Sequence, residues 1–395
     1  MQIKIHTILI RVVTAVVLLM IGALIGRALA EEASTNRVIS SRQLRILLSR
    51  KKPASKANNS FALINVHIPY EGEIPQTDAL IPFDKITANS GVLPDDKRTQ
   101  IILYDKTGTE SAQAIPALQK LGYHNIRTLR GGMDAWKKSG GTLFDLSVIP
   151  SQVTPADGVA LPVSWGMLIS RLVDIGVIDL PAFRDAVVLT PDQEQILTQG
   201  STGAIRIDAK NSQFVVDVLW ALGLAQKSIV YDEGPMGTQY KKDAGNFAST
   251  GGWTLAHGNA MDYLNRYDLI PLSANQQKQV GDIAKNIYRP CCNNATWFPD
   301  CNHGMAALAI IELMVNSHVD ERLIYKKVLG FNSFWFPDSY ISTATYFARR
   351  GTPWKDVDPK QILGATYSTA TGASKISNIV GPLPYANPVG GSCGA

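Results

Sequence analysis

Cysteine is absent from the first 290 residues of this 395-residue chain, and four cysteines follow that stretch. Thiol chemistry and thiolate metal sites are therefore excluded from everything before Cys291. Charged residues are also few, at 18%, against 45% hydrophobic residues. This composition is typical of globular domains and excludes long disordered regions. The length predicts two or three domains.

Excess charge of either sign is nearly absent outside the N-terminus. The formal net charge is +5, and three of the basic residues, Lys4, Arg11 and Arg27, lie in residues 1–30, which contain no acidic residue. The remainder therefore carries +2. A nearly neutral chain favours neither nucleic acid nor an anionic membrane surface as a partner. We expect a protein partner or a small sulfur or metal species, and no nucleic acid.

The longest uncharged apolar run near the N-terminus, Val12–Gly26, has fifteen residues. At ~1.5 Å per residue it reaches ~22 Å as a helix, short of the ~30 Å hydrocarbon core of a bilayer. Small residues at 28 and 30 precede an acidic start at Glu31, which predicts a Sec-type signal peptide over residues 1–30. The protein is then periplasmic or extracellular. The alternative is a membrane anchor formed by uncleaved residues 12–26.

Residues 37–145 alternate between short apolar runs and helical spacing. Apolar runs at 62–66, 100–104 and 125–129 predict strands, and the spacing at 111–121 and 133–138 predicts helices. Alternating strands and helices predict an α/β domain with a parallel sheet.

The sequence after residue 145 has a different pattern. Proline and glycine recur through residues 146–162, which predicts a linker. Residues 163–380 carry repeated helical spacing and predict a mainly α domain, which resembles no characterised family. Residues 381–395 are rich in proline and glycine and predict a flexible tail that contains Cys393.

The segment between the strand at 100–104 and the next helix predicts an anion cradle, because such a loop aims backbone N–H groups inward beside a helix N-terminus. Its residues are Asp105, Lys106, Thr107, Gly108, Thr109, Glu110 and Ser111. This loop resembles the active-site loop of the rhodanese family. Leu121-Gly122-Tyr123 and Arg130-Gly131-Gly132-Met133, with Trp136, resemble the motif that closes the domain.

The resemblance implies a rhodanese-like fold over residues 37–145, but its catalytic residue is missing. Active members of the family have a nucleophilic cysteine where this chain has Asp105, and a carboxylate cannot carry sulfane sulfur. Glu110 adds a second negative charge, which opposes anion binding. Asn65 and His67 stand where the family usually has Asp and Arg. We expect a domain that is not a functional thiosulfate sulfurtransferase, kept as a rigid surface or binding a cation or polar partner.

Three cysteines and one histidine fall within thirteen residues, between two predicted helices: Cys291, Cys292, Cys301 and His303. Three hypotheses remain open. The first is a disulfide from Cys301 to Cys291 or Cys292, with Cys393 pairing the remaining cysteine. The second is a Cys₃His metal site for Zn or Cu. The third is a working thiol at Cys301, with Cys393 as a mobile partner.

Three functions follow from these patterns. The first is an exported, non-catalytic binding or assembly protein, in which disulfides or a metal hold the helical domain. The second is a periplasmic thiol-redox or sulfur-relay protein that uses Cys301, Cys393 or both. The third is a protein that binds Zn or Cu through the Cys/His cluster.

Overall fold

The computed structural model describes residues 37–51 and 61–384, which form two compact units that divide after Asp145. The predicted signal peptide, residues 1–30, lies outside the described residues, as does Cys393. Within the two described ranges, no helix is both long and apolar enough to cross a membrane.

The first unit is a five-stranded parallel sheet with three helices, which confirms the α/β prediction. The strands β1 to β5 are Val38–Ile39, Phe61–Asn65, Ala79–Leu80, Gln100–Tyr104 and Ile126–Leu129. The helices α1 to α3 are Ser41–Arg50, Thr109–Lys120 and Gly132–Lys138. The strand order is β1-β5-β4-β2-β3, and every pairing is parallel. The ends of β4 and β2 therefore lie side by side, with Tyr104 opposite Asn65.

Helices cover both faces of this sheet. Along β2, Ala62 and Ile64 belong to the apolar cluster that contains residues of α2. Phe61 and Leu63 belong to the cluster formed with α1 and α3. Because successive strand residues point to opposite faces, a strand buried on both faces is apolar throughout. This is why β2 is a continuous apolar run.

The second unit is mainly helical, as predicted. Its helices α4 to α16 are Ile149–Val153, Leu168–Asp174, Leu180–Ala186, Pro191–Gln199, Ser212–Ala225, Ile229–Glu233, Ala274–Ala284, Asn302–Asn316, Glu321–Trp335, Pro337–Ala348, Pro359–Leu363, Ala365–Ser368 and Ala370–Val380. Its 3-10 turns are Leu146–Val148, Lys241–Asn246, Ala260–Asp262 and Trp354–Asp356, and one more, Ser90–Val92, belongs to the first unit. Its strands β6 and β7, Val159–Gly166 and Ser201–Ile207, form an antiparallel pair.

Residues 146–162 differ from the linker that their composition predicts. They form a 3-10 turn, helix α4 and the first half of β6. Pro150 occupies the start of α4, where its missing N–H costs nothing. Pro162 lies in β6 between Ala160 and Ser164, where the pairing with β7 shifts register. The prolines therefore mark a helix start and a strand irregularity.

Helices α8 and α11 form the centre of the second unit. Nearly every residue of both is buried, and the two helices pack against each other. Gly223 permits the close approach, because a Cβ at that position would overlap the backbone carbonyl of Met305. A helix that is apolar on all sides is a core helix. This core places the N-terminus of α11 next to the loop that holds the cysteines.

Two acids are buried in this core, Asp217 of α8 and Glu312 of α11. Asp217 of α8 is 3% exposed, and Gln213 Nε2 donates to its two carboxylate oxygens at 3.0 and 3.2 Å. Burial raises the pKa of Asp217 to about 7, although the hydrogen bonds from Gln213 oppose the shift. The folded protein therefore favours the neutral acid.

We predict that Asp217 makes stability fall as pH rises. A raised folded-state pKa contributes stability that is present near pH 4 and is lost by about pH 7, a change on the order of 4 kcal/mol at most. Asp217→Asn should reduce this decline, to which the raised pKa of Glu312 also contributes, and should be more stable than the wild type at pH 8. Urea unfolding at pH 5 and pH 8 would measure it, followed by tryptophan fluorescence, since six of the seven tryptophans follow residue 145. The exposed Asp185→Asn is the control, and an identical pH dependence in both variants would contradict the prediction.

Candidate functional site

The loop between β4 and α2 is organised around the side chain of Asp105, which is 1% exposed. Its Oδ2 accepts hydrogen bonds from the backbone N–H groups of Thr107, Gly108 and Glu110 at 3.3, 2.9 and 3.1 Å. Its Oδ1 accepts one from Ser111 Oγ at 2.5 Å. The loop is an anion cradle, as the sequence predicts. The chain's own carboxylate is the anion that fills it.

The start of α3 closes the base of this loop. The N–H groups of Met133 and Asp134 donate to the carbonyl oxygens of Asp105 and Lys106 at 2.8 and 3.1 Å. Gly132 has φ +52°, and a Cβ there would overlap the carbonyl oxygen of Asp105. Gly132 is therefore required by a close approach of two backbone segments.

Paired charges surround the mouth of the loop. His67 Nδ1 lies 2.6 Å from Glu110 Oε2, and Lys106 Nζ donates to Glu71 at 2.8 Å. The hydrogen bond from Lys106 lowers the pKa of Glu71. The His67 side chain is buried, and its Nε2 lies 3.7 Å from Glu71. Glu110 is thus paired with His67, which the sequence did not predict.

Asn65, the other departure from the family pattern, has a structural role. Its Nδ2 donates to the carbonyl oxygen of Gly72 at 3.1 Å, and its Oδ1 accepts from the N–H of His67 at 3.0 Å. The side chain therefore fixes the chain after β2, and with it the position of the His67 ring.

The second site lies in the loop between α10 and α11. Cys301 is the N-cap residue of α11, and its Sγ lies 3.5 Å from Cys291 Sγ. A ring nitrogen of His303 lies within 4.8 Å of both sulfurs. Cys292 Sγ lies 3.8 Å from Asp300 Oδ1, and Cys292, Asp300 and Cys301 form a second group whose candidate ligand atoms lie within 4.8 Å of one another. The three cysteines are free thiols in the structure, so the predicted disulfide stays a prediction.

Arg289 is the residue that sequence reasoning missed. It is 1% exposed, and its Nε donates to Cys301 Sγ at 3.0 Å. Its other nitrogens donate to Asp300 Oδ1 at 2.5 Å and to the carbonyl oxygens of Asn294 and Phe298 at 3.0 and 3.2 Å. The available signal was an arginine two residues before the Cys-Cys pair, in a sequence with few charges.

Space for this guanidinium depends on the first turn of α11. A Cβ at Gly304 would lie 2.7 Å from the guanidinium carbon of Arg289. The glycine that follows His303 therefore allows the arginine to reach Cys301.

The three thiols of the cluster differ in pKa. Hydrogen bonds from Cys291 and Cys292 lower the pKa of Cys301, and the charge of Arg289 adds to the effect against burial. Hydrogen bonds to its two neighbouring thiols raise the pKa of Cys291. The pKa of Cys292 is raised to about 11: a hydrogen bond with Cys291 lowers it, but the hydrogen bond with Cys301 and burial outweigh that effect. Negative charge therefore concentrates on the Cys301 sulfur.

Known proteins resemble the first unit. A family model described as a rhodanese-like domain matches residues 64–139. A probable adenylyltransferase/sulfurtransferase, MoeZ, of Mycobacterium tuberculosis is 35% identical over 113 residues, which are 28% of this chain and 26% of that protein. A sulfurtransferase of Allochromatium vinosum is 34% identical over 82 residues, 20% of this chain and 73% of that protein. The chain thus spans about a quarter of the Mycobacterium relative.

Solved structures resemble the same part of the chain. A rhodanese-like domain protein from Staphylococcus aureus is 25% identical, with a TM-score of 0.22. The match spans 28% of this chain and 99% of that protein. A rhodanese-related protein from Thermoplasma volcanium is 22% identical, with a TM-score of 0.23. The match spans 27% of this chain and 97% of that protein. The C-terminal region matches no family.

We predict that Gly132→Ala loosens the loop that holds Asp105. An added Cβ would collide with backbone at a positive φ, which should cost at least ~2 kcal/mol. Hydrogen exchange followed by mass spectrometry should show faster exchange of the loop amides that donate to Asp105. Gly91→Ala is the matched control, because a Cβ there meets nothing within 4 Å. Equal exchange in both variants would show that the close approach does not constrain the loop.

Proposed function

This chain belongs to the rhodanese-like family through residues 64–139, and from that we propose that its first unit is a non-catalytic recognition module of an exported binding or assembly protein. The observation that carries the proposal is the carboxylate of Asp105 in the cradle. It accepts from three backbone N–H groups and one hydroxyl.

The chemistry of sulfur transfer supports this proposal. A sulfurtransferase needs a thiolate that attacks sulfur and then holds it as a persulfide. The carboxylate of Asp105 has no such reactivity, and no cysteine occurs before Cys291. An anionic substrate would also have to displace a carboxylate that is fixed to the same donors. The first unit therefore lacks both the nucleophile and a free anion site.

The charges around the mouth of the loop favour a protein partner over a small anion. Lys106 pairs with Glu71, and His67 pairs with Glu110. Positive and negative groups thus alternate over a short distance, and a partner with charges of both signs complements such a surface. Relatives that are sulfurtransferases support a sulfur-related setting for the partner.

We predict that the full chain has no thiosulfate:cyanide sulfurtransferase activity, and that Asp105→Cys gains some. The new thiolate would face the same backbone donors, which favours ionisation and persulfide formation. Cyanide-dependent thiocyanate formation, with persulfide detected by intact mass, would measure both. Asp105→Ser is the control, since it keeps a small polar group but no thiol.

Turnover by the unmodified chain would contradict the non-catalytic assignment. If that turnover disappeared in Cys301→Ser, the second unit would be a sulfur-relay enzyme. If it disappeared in Asp105→Ser, the first unit would be catalytic by a route other than a persulfide.

Export is the second part of the proposal, and it rests on residues 1–30. Expression of the full chain in a Gram-negative host should give a periplasmic protein whose first residue is Glu31, since cleavage is expected after Ala30. Fractionation and N-terminal sequencing would measure this. A membrane-bound protein that keeps residues 12–26 would show that the segment is an anchor.

A further inference from the structure

We propose that Cys291, Cys301 and His303 form a binding site for a divalent d¹⁰ cation, zinc, in the second unit. This site does not depend on the role proposed for the first unit. It also differs from the four-ligand set that the sequence predicts, because His303 groups with Cys291 and Cys301, whereas Cys292 groups with Asp300 and Cys301.

The three side chains have the donor types and the spacing that zinc requires. The two sulfurs lie 3.5 Å apart, and a ring nitrogen of His303 lies within 4.8 Å of both. Two sulfurs bound to zinc at ~2.3 Å with tetrahedral angles are ~3.8 Å apart. The observed separation is close to that edge, so small side-chain rotations would complete the site.

His303 supplies an independent indication of a ligand. The residue is 8% exposed, and its Nδ1 is buried without a hydrogen-bond partner. An unsatisfied buried nitrogen is destabilising, and a bond to a metal would satisfy it. Trp335 and Phe336 pack against the ring at centroid distances of 5.5 and 4.5 Å. The ring is therefore held in place at the edge of the cluster.

Charge balance favours a divalent ion over a monovalent one. Arg289 and Asp300 form a buried ion pair at 2.5 Å, so their charges cancel. Two thiolates, from Cys291 and Cys301, carry two negative charges that a divalent cation cancels, and a neutral imidazole adds none. The same ligands around Cu(I) would leave one uncompensated negative charge in a buried cluster. Zinc therefore fits this site better than Cu(I).

Arg289 fits as a second layer around the metal. Its Nε–H donates to Cys301 Sγ at 3.0 Å, and Asp300 and two carbonyl oxygens hold the rest of the guanidinium. Donors to ligand atoms orient them and stabilise their charge. The arginine thus fixes the sulfur of Cys301 in the direction of Cys291 and His303.

The experiment uses the mature full chain, reduced, stripped with a chelator and kept anaerobic. We expect it to bind one equivalent of Co²⁺ with thiolate-to-cobalt charge-transfer absorption, and Zn²⁺ should displace the cobalt. Cys301→Ser should abolish the charge-transfer band of a Cys₂His site or weaken cobalt binding at least ~10-fold, and His303→Asn should weaken binding by a similar factor. Cys393→Ser is the matched control and should bind as the wild type does. Cys292→Ser should keep binding one equivalent, and it tests whether Cys292, Asp300 and Cys301 hold the ion instead.

A second measurement does not depend on whether a variant folds. In the unsubstituted chain, Zn²⁺ should slow alkylation of Cys291 and Cys301 while leaving Cys292 reactive, as mapped by peptide mass spectrometry. Absence of a saturable cobalt spectrum would overturn the proposal. Loss of binding in Cys292→Ser would overturn the three-ligand set. A Cys291–Cys301 disulfide that forms when the Zn²⁺-treated chain is exposed to oxygen, which accepts the two electrons, would replace the metal site with a dithiol centre.

Discussion

A guanidinium that is removed from water must find an acceptor for nearly every N–H group, and Arg289 meets this requirement with its neighbours in one loop. Asp300, two backbone carbonyl oxygens and the sulfur of Cys301 surround it. Removal of one partner from such a network leaves an uncompensated buried charge, which is strongly destabilising. The path of the chain from Arg289 to Cys301 is therefore set by this one side chain. The positions of the thiols and of His303 follow from that path.

The first unit uses the opposite charge in the same way. Asp105 is a buried anion that backbone N–H groups surround, and the fold of the loop depends on those donors. In a sulfurtransferase the same donors would stabilise a thiolate and its persulfide. With a carboxylate in place, they stabilise the fold instead. These donors and the carboxylate of Asp105 thus hold the loop together.

Local patterns in the sequence predicted a large part of this arrangement. The apolar runs of β2 and β4 and the spacing of α2 were enough for the parallel sheet, because strand and helix periods are local properties. The cradle also followed from local order, since a strand, a short loop and a helix place backbone donors together. The capping box at Ser40 and Gln43 lies within four residues and was equally accessible to prediction.

Local sequence patterns did not predict contacts between side chains that lie far apart in the sequence. The pair of His67 with Glu110 joins loops that follow separate strands, and no spacing rule connects them. Residues 146–162 have the proline content of a linker, yet Pro162 sits in a strand at a point where the ladder is irregular. The amino-acid composition of a segment shows that it contains residues that break helices and strands. It does not show whether the segment separates two domains or lies within one.

The cysteine cluster shows the same limit at the level of single atoms. Adjacent residues such as Cys291 and Cys292 are equivalent in a count of thiols, and the sequence grouped them as ligands of one site. In the structure, Cys291 groups with Cys301 and His303, whereas Cys292 groups with Cys301 and Asp300. Hydrogen bonds from Cys291 and Cys292 are the main cause of the lowered pKa of Cys301, and the charge of Arg289, whose Nε donates to that sulfur, adds to it. The chemistry of the second unit therefore depends on how the thiols and Arg289 are arranged, and not only on the number of cysteines. The first unit has backbone donors around a carboxylate, whereas the second unit has thiols and a donor to one of them.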